Sequence, residues 1–354
     1  MTTIRFALAQ LSPLALLAGC APGLVQTPVT ADTHWVPDAI PSVMRPMPDE
    51  GGNGWSAYAG LFDRAPSQDQ HLEDPILEGA IDIHAHYGPD TYARQWDAFE
   101  IAARAETRGM RAIVIKSHWT ESASMAYMVR RHTTSDLEVF GGIALNVSVG
   151  GLNPMAVRVF AEMDGHFGKV VWMPTHDSEH EVRTNGETRA FVRVSENGVL
   201  LPQVLEVLDL VAQYDLTLAT GHVTSEEMLA IVREARRRGI ERIILTHPGL
   251  GPQYTDPTPA ELREAVAMGG LVEVVANTLY SPQARAPMVA MIRALGPEHC
   301  IVATDSGLQG TPNHADALVL SARILREEGF TEDELDLMFK VNPARVLGLE
   351  ALPG

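Results

Sequence analysis

The chemistry in this chain gathers on histidines that end apolar runs. Ile81-Asp82-Ile83-His84-Ala85-His86 closes on two of them, one residue apart. On a strand the side-chain period is two, so His84 and His86 point the same way and can share one metal ion. Alone, a His-x-His pair also arises by chance. The same punctuation recurs along the chain: Ile115-Lys116-Ser117-His118, a run reaching His176, Gly221-His222, Thr246-His247-Pro248-Gly249 and Thr304-Asp305-Ser306. Neutral imidazoles with one carboxylate hold a divalent ion while leaving a position open for water. Glu273 falls in the middle of a run and is costly to bury unpaired, so it should pair in the interior, with Lys116 as the candidate partner.

The elements that must position these groups are regular. From residue 80 onward, apolar β-branched runs at 80–86, 111–117, 138–145, 169–175, 215–221, 241–246, 270–276 and 299–304 read as strands. Amphipathic stretches between them, near 97–109, 121–132, 153–164, 202–214, 224–238, 258–268, 284–295 and 313–328, read as helices. Asn153-Pro154, Thr258-Pro259 and Thr224-Ser225-Glu226-Glu227 are helix starts, and Gly109, Gly239 and Gly269 are helix stops. Alternating strands and helices of this number and length predict a (β/α)8 TIM barrel over 80–350, with a doubly wound open sheet as the competitor. The long connection from His176 to Leu201 contains Asn185-Gly186 and Asn197-Gly198, which predict a small hairpin insertion after strand 4. In such a barrel the strand ends carry the active site. Substrate specificity then falls to the loops 87–96, 118–124, 176–200, 250–257 and 277–284, where Tyr87, Arg94, Trp119, Tyr254 and Tyr280 are lining candidates.

The ordered set resembles the amidohydrolase superfamily of metal-dependent barrel hydrolases. There the first strand carries His-x-His, the fifth and sixth one His each, and the eighth an Asp; His84, His86, His222, His247 and Asp305 stand in those places. Asn342-Pro343-Ala344-Arg345-Val346-Leu347-Gly348-Leu349 is similar to that superfamily's C-terminal helix. Within it, Lys116 on the second strand and Gly-His followed by Thr-His-Pro-Gly resemble an amidohydrolase-like subgroup of unassigned activity. The resemblance implies a divalent metal, zinc first, as one or two ions on His84, His86, His222, His247, Asp305 and Lys116. It implies hydrolysis of an amide, lactone or ester-like bond in a small molecule, with Asp305 as general base and His247 as ligand or carbonyl polariser. His118 and His176 are then substrate-facing. Lys116 departs from the usual pattern, in which the fourth strand supplies a bridging Lys or Glu. It is open to three readings: a carboxylated bridge, a cation for an anionic substrate, or a side chain snorkelling from the rim. Two other functions compete: non-oxidative decarboxylation on the same site, and a non-catalytic envelope binding protein.

Composition narrows the partners. A formal net charge of −18 over 354 residues disfavours nucleic acid and anionic lipid surfaces. Residues 1–19 read as a signal segment, and Leu17-Ala18-Gly19-Cys20 resembles the lipobox of bacterial lipoproteins. That resemblance implies acylation of Cys20 and a lipid-anchored place in the bacterial cell envelope, with the anchor as the sole membrane contact. Proline- and glycine-rich residues 20–79 read as a tether and arm, on which Trp35, Trp55 and Tyr58 are candidate pins. With Cys20 acylated, Cys300 has no disulfide partner and reads as a small core residue. A homo-oligomer is compatible with this composition.

Overall fold

The computed structural model describes residues 70–350 apart from Ser135. The signal segment, Cys20 and the arm as far as residue 69, with Trp35, Trp55 and Tyr58, lie outside the described residues. Among those described, no helix is long and apolar enough to cross a membrane.

All the expected strands form: β1 (Ile81–His86), β2 (Ala112–Lys116), β3 (Glu138–Ala144), β4 (Gly168–Trp172), β7 (Thr217–Ala219), β8 (Ile243–Leu245), β9 (Gly270–Val275) and β10 (Cys300–Ala303). They make one 8-stranded sheet in that order, each ladder parallel. Between β10 and β1 a seam replaces a full ladder. Asp305 N–H donates to the His84 carbonyl at 2.9 Å, and His86 N–H to that of Ser306 at 3.0 Å. Asp82, wholly buried on β1, accepts from the Thr304 hydroxyl at 2.5 Å and from its N–H at 3.1 Å. These bonds join the first strand to the last, so the sheet curls into a (β/α)8 barrel rather than lying open.

Side chains alternate as the pleat requires. Val114, Val170, Trp172, Ile244, Leu271 and Ile301 fill the barrel. Ile113, Val171, Leu218, Ile243, Val272 and Val302 face the helical layer. The helices start where their caps stand: Thr224 with Glu227 and Thr258 with Glu261 form reciprocal capping boxes, and Asn153 accepts from Met155 and Ala156 N–H. The helix Asn342–Leu347 plugs the end where the strands begin, with Ala344, Val346 and Leu347 in the interior cluster.

Two segments differ from expectation. The hairpin is β5 (Ser195–Glu196) with β6 (Val199–Leu200), turning on Asn197 (φ 52°) and Gly198 (φ 78°), as a two-residue primed turn needs. Asn185-Gly186 is not part of it; those residues end an unexpected helix, Glu179–Thr184. The last part of the arm is pinned to the barrel. Gln70 and Leu72 N–H donate to Asp316 at 2.9 and 2.8 Å, and Arg326 holds Asp74 at 2.7 Å.

Cys300 is buried at the start of β10, and burial pushes its thiol up to about 12. A thiol kept protonated and covered does not react. Iodoacetamide should therefore leave Cys300 unmodified in the folded protein and alkylate it once urea unfolds the barrel. Peptide mass spectrometry reads this directly, and native labelling at neutral pH would contradict it.

Candidate metal centre

A bulge between Asp82 and Ala85 shifts the β1 register; His84 lies within it and His86 just beyond, and both face the mouth of the barrel. Asp305 follows β10 across the seam. Its Oδ1 lies 3.1 Å from His84 Nε2 and 3.0 Å from His86 Nε2. The ligand atoms of His84, His86 and Asp305 all lie within 4.8 Å of one another. His222, after β7, and His247, after β8, face each other through their Nε2 atoms at 3.1 Å. The His247 ring stacks beside His84, with centroids 6.0 Å apart. His247 (φ 22°) and Asp305 (φ 51°) both hold left-handed backbone, a cost of about 1–3 kcal/mol each that accumulates at functional sites. The strand exit before Pro248 thus aims His247 inward, as its sequence implies.

Outer carboxylates fix where the ring protons sit. His84 Nδ1 lies 2.8 Å from Glu273 Oε1, and His222 Nδ1 lies 2.5 Å from Glu181 Oε2. Burial raises both carboxyls, but the histidines outweigh it: Glu273 ends below the usual range and Glu181 falls to about 2. An ionised carboxylate only accepts, so both rings carry their proton on Nδ1 and present a lone pair at Nε2. The His84 lone pair then faces an oxygen of Asp305, acceptor against acceptor, with the Lys116 amine as the cation beside it; a metal ion bound there would take the place of that amine. His247 Nδ1 is buried without a hydrogen-bond partner. Burial lowers the pKa of His222, brings that of His247 to about 3, and holds that of His86 well below its ordinary value. Burial thus holds these three imidazoles towards the neutral form in which they can be ligands. His86 differs, since Arg94 Nη2 lies 3.3 Å from its Nδ1 and leaves the proton on Nε2, facing Asp305 Oδ1; a neutral ring could bind an ion through Nε2 only with that proton moved to Nδ1 and Arg94 turned from it. This donor set fits a divalent metal.

Lys116 is fully buried on the inner face of β2, so its amine does not snorkel to the rim. Nζ donates to His84 Nε2 at 2.8 Å and sits 5.0 Å over the Trp172 ring. Burial lowers its pKa to about 8, with Asp305 and Glu273 opposing. The expected Lys116–Glu273 pair does not form. Glu273 instead takes His84 Nδ1 and, at 3.2 Å, the His247 N–H, because β9 sets it beneath those two residues.

The centre opens into a cavity of about 410 Å³. His118 and His176 line it as expected, the His118 ring packed at a tilt against His86 with centroids 4.6 Å apart. Arg94, Tyr254 and Tyr280 also line it. Tyr87 is buried away from it, and Trp119 turns to donate to Asp90 at 2.7 Å. Glu181 and Tyr92 are among the wall residues that sequence reasoning missed. Glu181 rides on the unexpected helix, and Tyr92 OH lies 3.3 Å from His176 Nε2.

Residues 79–273, more than half of the chain, match the model of a family of unknown function (DUF6282). No curated protein matches in sequence. Similar solved structures include an amidohydrolase from Pseudomonas aeruginosa, with TM-score 0.54 and 12% identity over 77% of this chain and 97% of that one. A zinc-bound amidohydrolase from Burkholderia multivorans has TM-score 0.53 and 13% identity over 77% and 99%. A PTE-like lactonase mutant from Deinococcus radiodurans has TM-score 0.50 and 15% identity over 80% and 100%. Likeness at these identities establishes the fold. The chain belongs to that family of unknown function, built on the barrel fold of the amidohydrolases.

Proposed function

We propose that the protein is a metal-dependent hydrolase of an amide, lactone or ester-like bond in a small molecule, with zinc as its metal. The observation that carries this is the meeting of His84, His86 and Asp305 ligand atoms within 4.8 Å at the strand ends, with His222 and His247 beside them. The names of the structural neighbours, amidohydrolases and a lactonase, support the reaction class, and the zinc in one of them supports the metal. A bound divalent ion supplies a Lewis acid that acidifies water towards a pKa of about 7 and polarises a carbonyl.

The chain's own residues do the rest. Asp305 is held ionised: burial raises its carboxyl, but His84 and His86 bring it well below the usual range. It remains partly open to the cavity and can accept the proton of an attacking water and return it to the leaving group. His247 presents its imidazole across the site, where it can bind the ion or orient a substrate carbonyl. Lys116 gives the pocket a cationic group beside the site, Arg94 being paired with Asp90 at 2.6 Å, while Tyr254 and Tyr280 give it an aromatic side. The signal segment and Cys20 add the proposal that this hydrolase is lipid-anchored in the cell envelope.

One ion per chain is the reading the side chains favour. Glu181 turns to His222 and His176 rather than bridging towards His84, and the Lys116 amine points at a nitrogen lone pair as a cation would. Elemental analysis of protein purified without added metal should find one zinc per chain in wild type and in Lys116→Ala alike. A fall from two ions to one or none would make Lys116 a carboxylated bridge. No metal in wild type, even after supplementation, would sink the hydrolase and leave a binding protein.

A further inference from the structure

The connection after β4 is built as firmly as the barrel itself. Asn146 Oδ1 accepts from Thr175 N–H at 2.9 Å and from Asp177 N–H at 3.2 Å. Asp177 pairs with Arg189, both side chains almost wholly buried, and so ties the entrance of the helix Glu179–Thr184 to its exit. Ser178 caps that helix by accepting from Glu181 N–H at 3.0 Å, and Arg193 clamps Glu179 from outside at 2.6 and 2.9 Å. A loop serving only as a cover has no need of a buried ion pair.

What this frame delivers to the barrel is one carboxylate. Glu181 Oε2 meets His222 Nδ1 at 2.5 Å, while Oε1 lies 3.4 Å from His176 Nδ1, and His176 in turn meets Tyr92 OH at 3.3 Å. The side chain is 7% exposed. We propose that Glu181 is a positioning residue of the metal centre. By accepting the Nδ1 proton of His222 it fixes that ring's orientation and tautomer, so that the Nε2 lone pair faces His247 across the site. His176, itself met by Tyr92, holds the carboxylate from its other side. Glu273 does the same for His84 from within the barrel. The insertion therefore belongs to the centre, and the loop and the barrel each supply one outer carboxylate. Such outer partners typically carry about 10–100-fold in metal affinity. This rests on the metal-centre reading above.

The test uses the full chain in three variants: Glu181→Ala, Glu181→Gln and, as control, Glu179→Ala, which loosens the same helix without touching the site. Zinc affinity is read by chelator competition, and the His222 tautomer in metal-free protein by imidazole ¹⁵N NMR. Glu181→Ala should weaken zinc about 10–100-fold and move the His222 proton off Nδ1. Glu181→Gln, which keeps an acceptor and the shape should Ala fail to fold, should lose less and retain the tautomer. Glu179→Ala should change neither. Unchanged affinity and tautomer in Glu181→Ala would overturn the proposal, as would an equal loss in Glu179→Ala. Failure of wild type to bind zinc would instead overturn the metal-centre reading, and the NMR readout would still judge the placement of the proton.

Discussion

Asp305→Asn is expected to slow hydrolysis by about 10²–10⁴-fold, the usual contribution of a positioned general base. Asparagine keeps an oxygen where Oδ1 stands, 3.1 Å from His84 Nε2 and 3.0 Å from His86 Nε2, but it cannot take up a proton. Zinc should therefore be largely retained while turnover collapses. Adding His84→Ala removes a ligand and the lone pair that Glu273 sets, and the doubly substituted chain should lose both the metal and the activity. Rates on a panel of lactones and aryl esters, measured beside zinc content, decide the matter. Activity within tenfold of wild type in the double variant would refute the assignment.

Trp172→Ala is expected to have the largest effect on stability, about 3–5 kcal/mol, from the cavity it opens. Trp172 heads the fully buried side chains by volume and floors the metal centre, 5.5 Å from the His84 ring and beneath the Lys116 amine. Its neighbour Gly142 lacks a side chain for this reason, since a Cβ there would lie 2.1 Å from the indole. A urea titration followed by circular dichroism should show the midpoint fall with an unchanged slope. A loss under about 1 kcal/mol would mean that the barrel repacks around the missing ring.

Which features could be read ahead of the structure follows from how far each depends on tertiary placement. Period and punctuation are local, so the strands ending in His84, His86, Lys116, His222 and His247 could be read from their own neighbourhoods. The order of those ends around a barrel then put Asp305 beside β1. Glu181 was beyond such reading because its helix is short and lies inside a connection. The one local cue was Ser178-Glu179-His180-Glu181, a polar cap followed three residues later by an acid, which marks a helix start. The Asn185-Gly186 pair misled, since the same dipeptide that turns a hairpin also stops a helix. Glu273 was rightly taken as a buried acid needing a partner. Which partner it takes depends on the stagger between β8, β9 and β1, and sequence spacing does not encode that stagger.

The seam of the barrel has a consequence for how the protein holds together. His84 and His86 come from the first strand and Asp305 from beyond the last, so the donor atoms sit astride the joint that lacks a full ladder. An ion bound there fastens the two ends of the cylinder as a rivet does, joining segments that the chain brings together only after every intervening unit is in place. Such an ion would add to the hydrogen bonds that already close the seam: by mass action, each tenfold rise in free metal above the dissociation constant would add about 1.4 kcal/mol to the folded form.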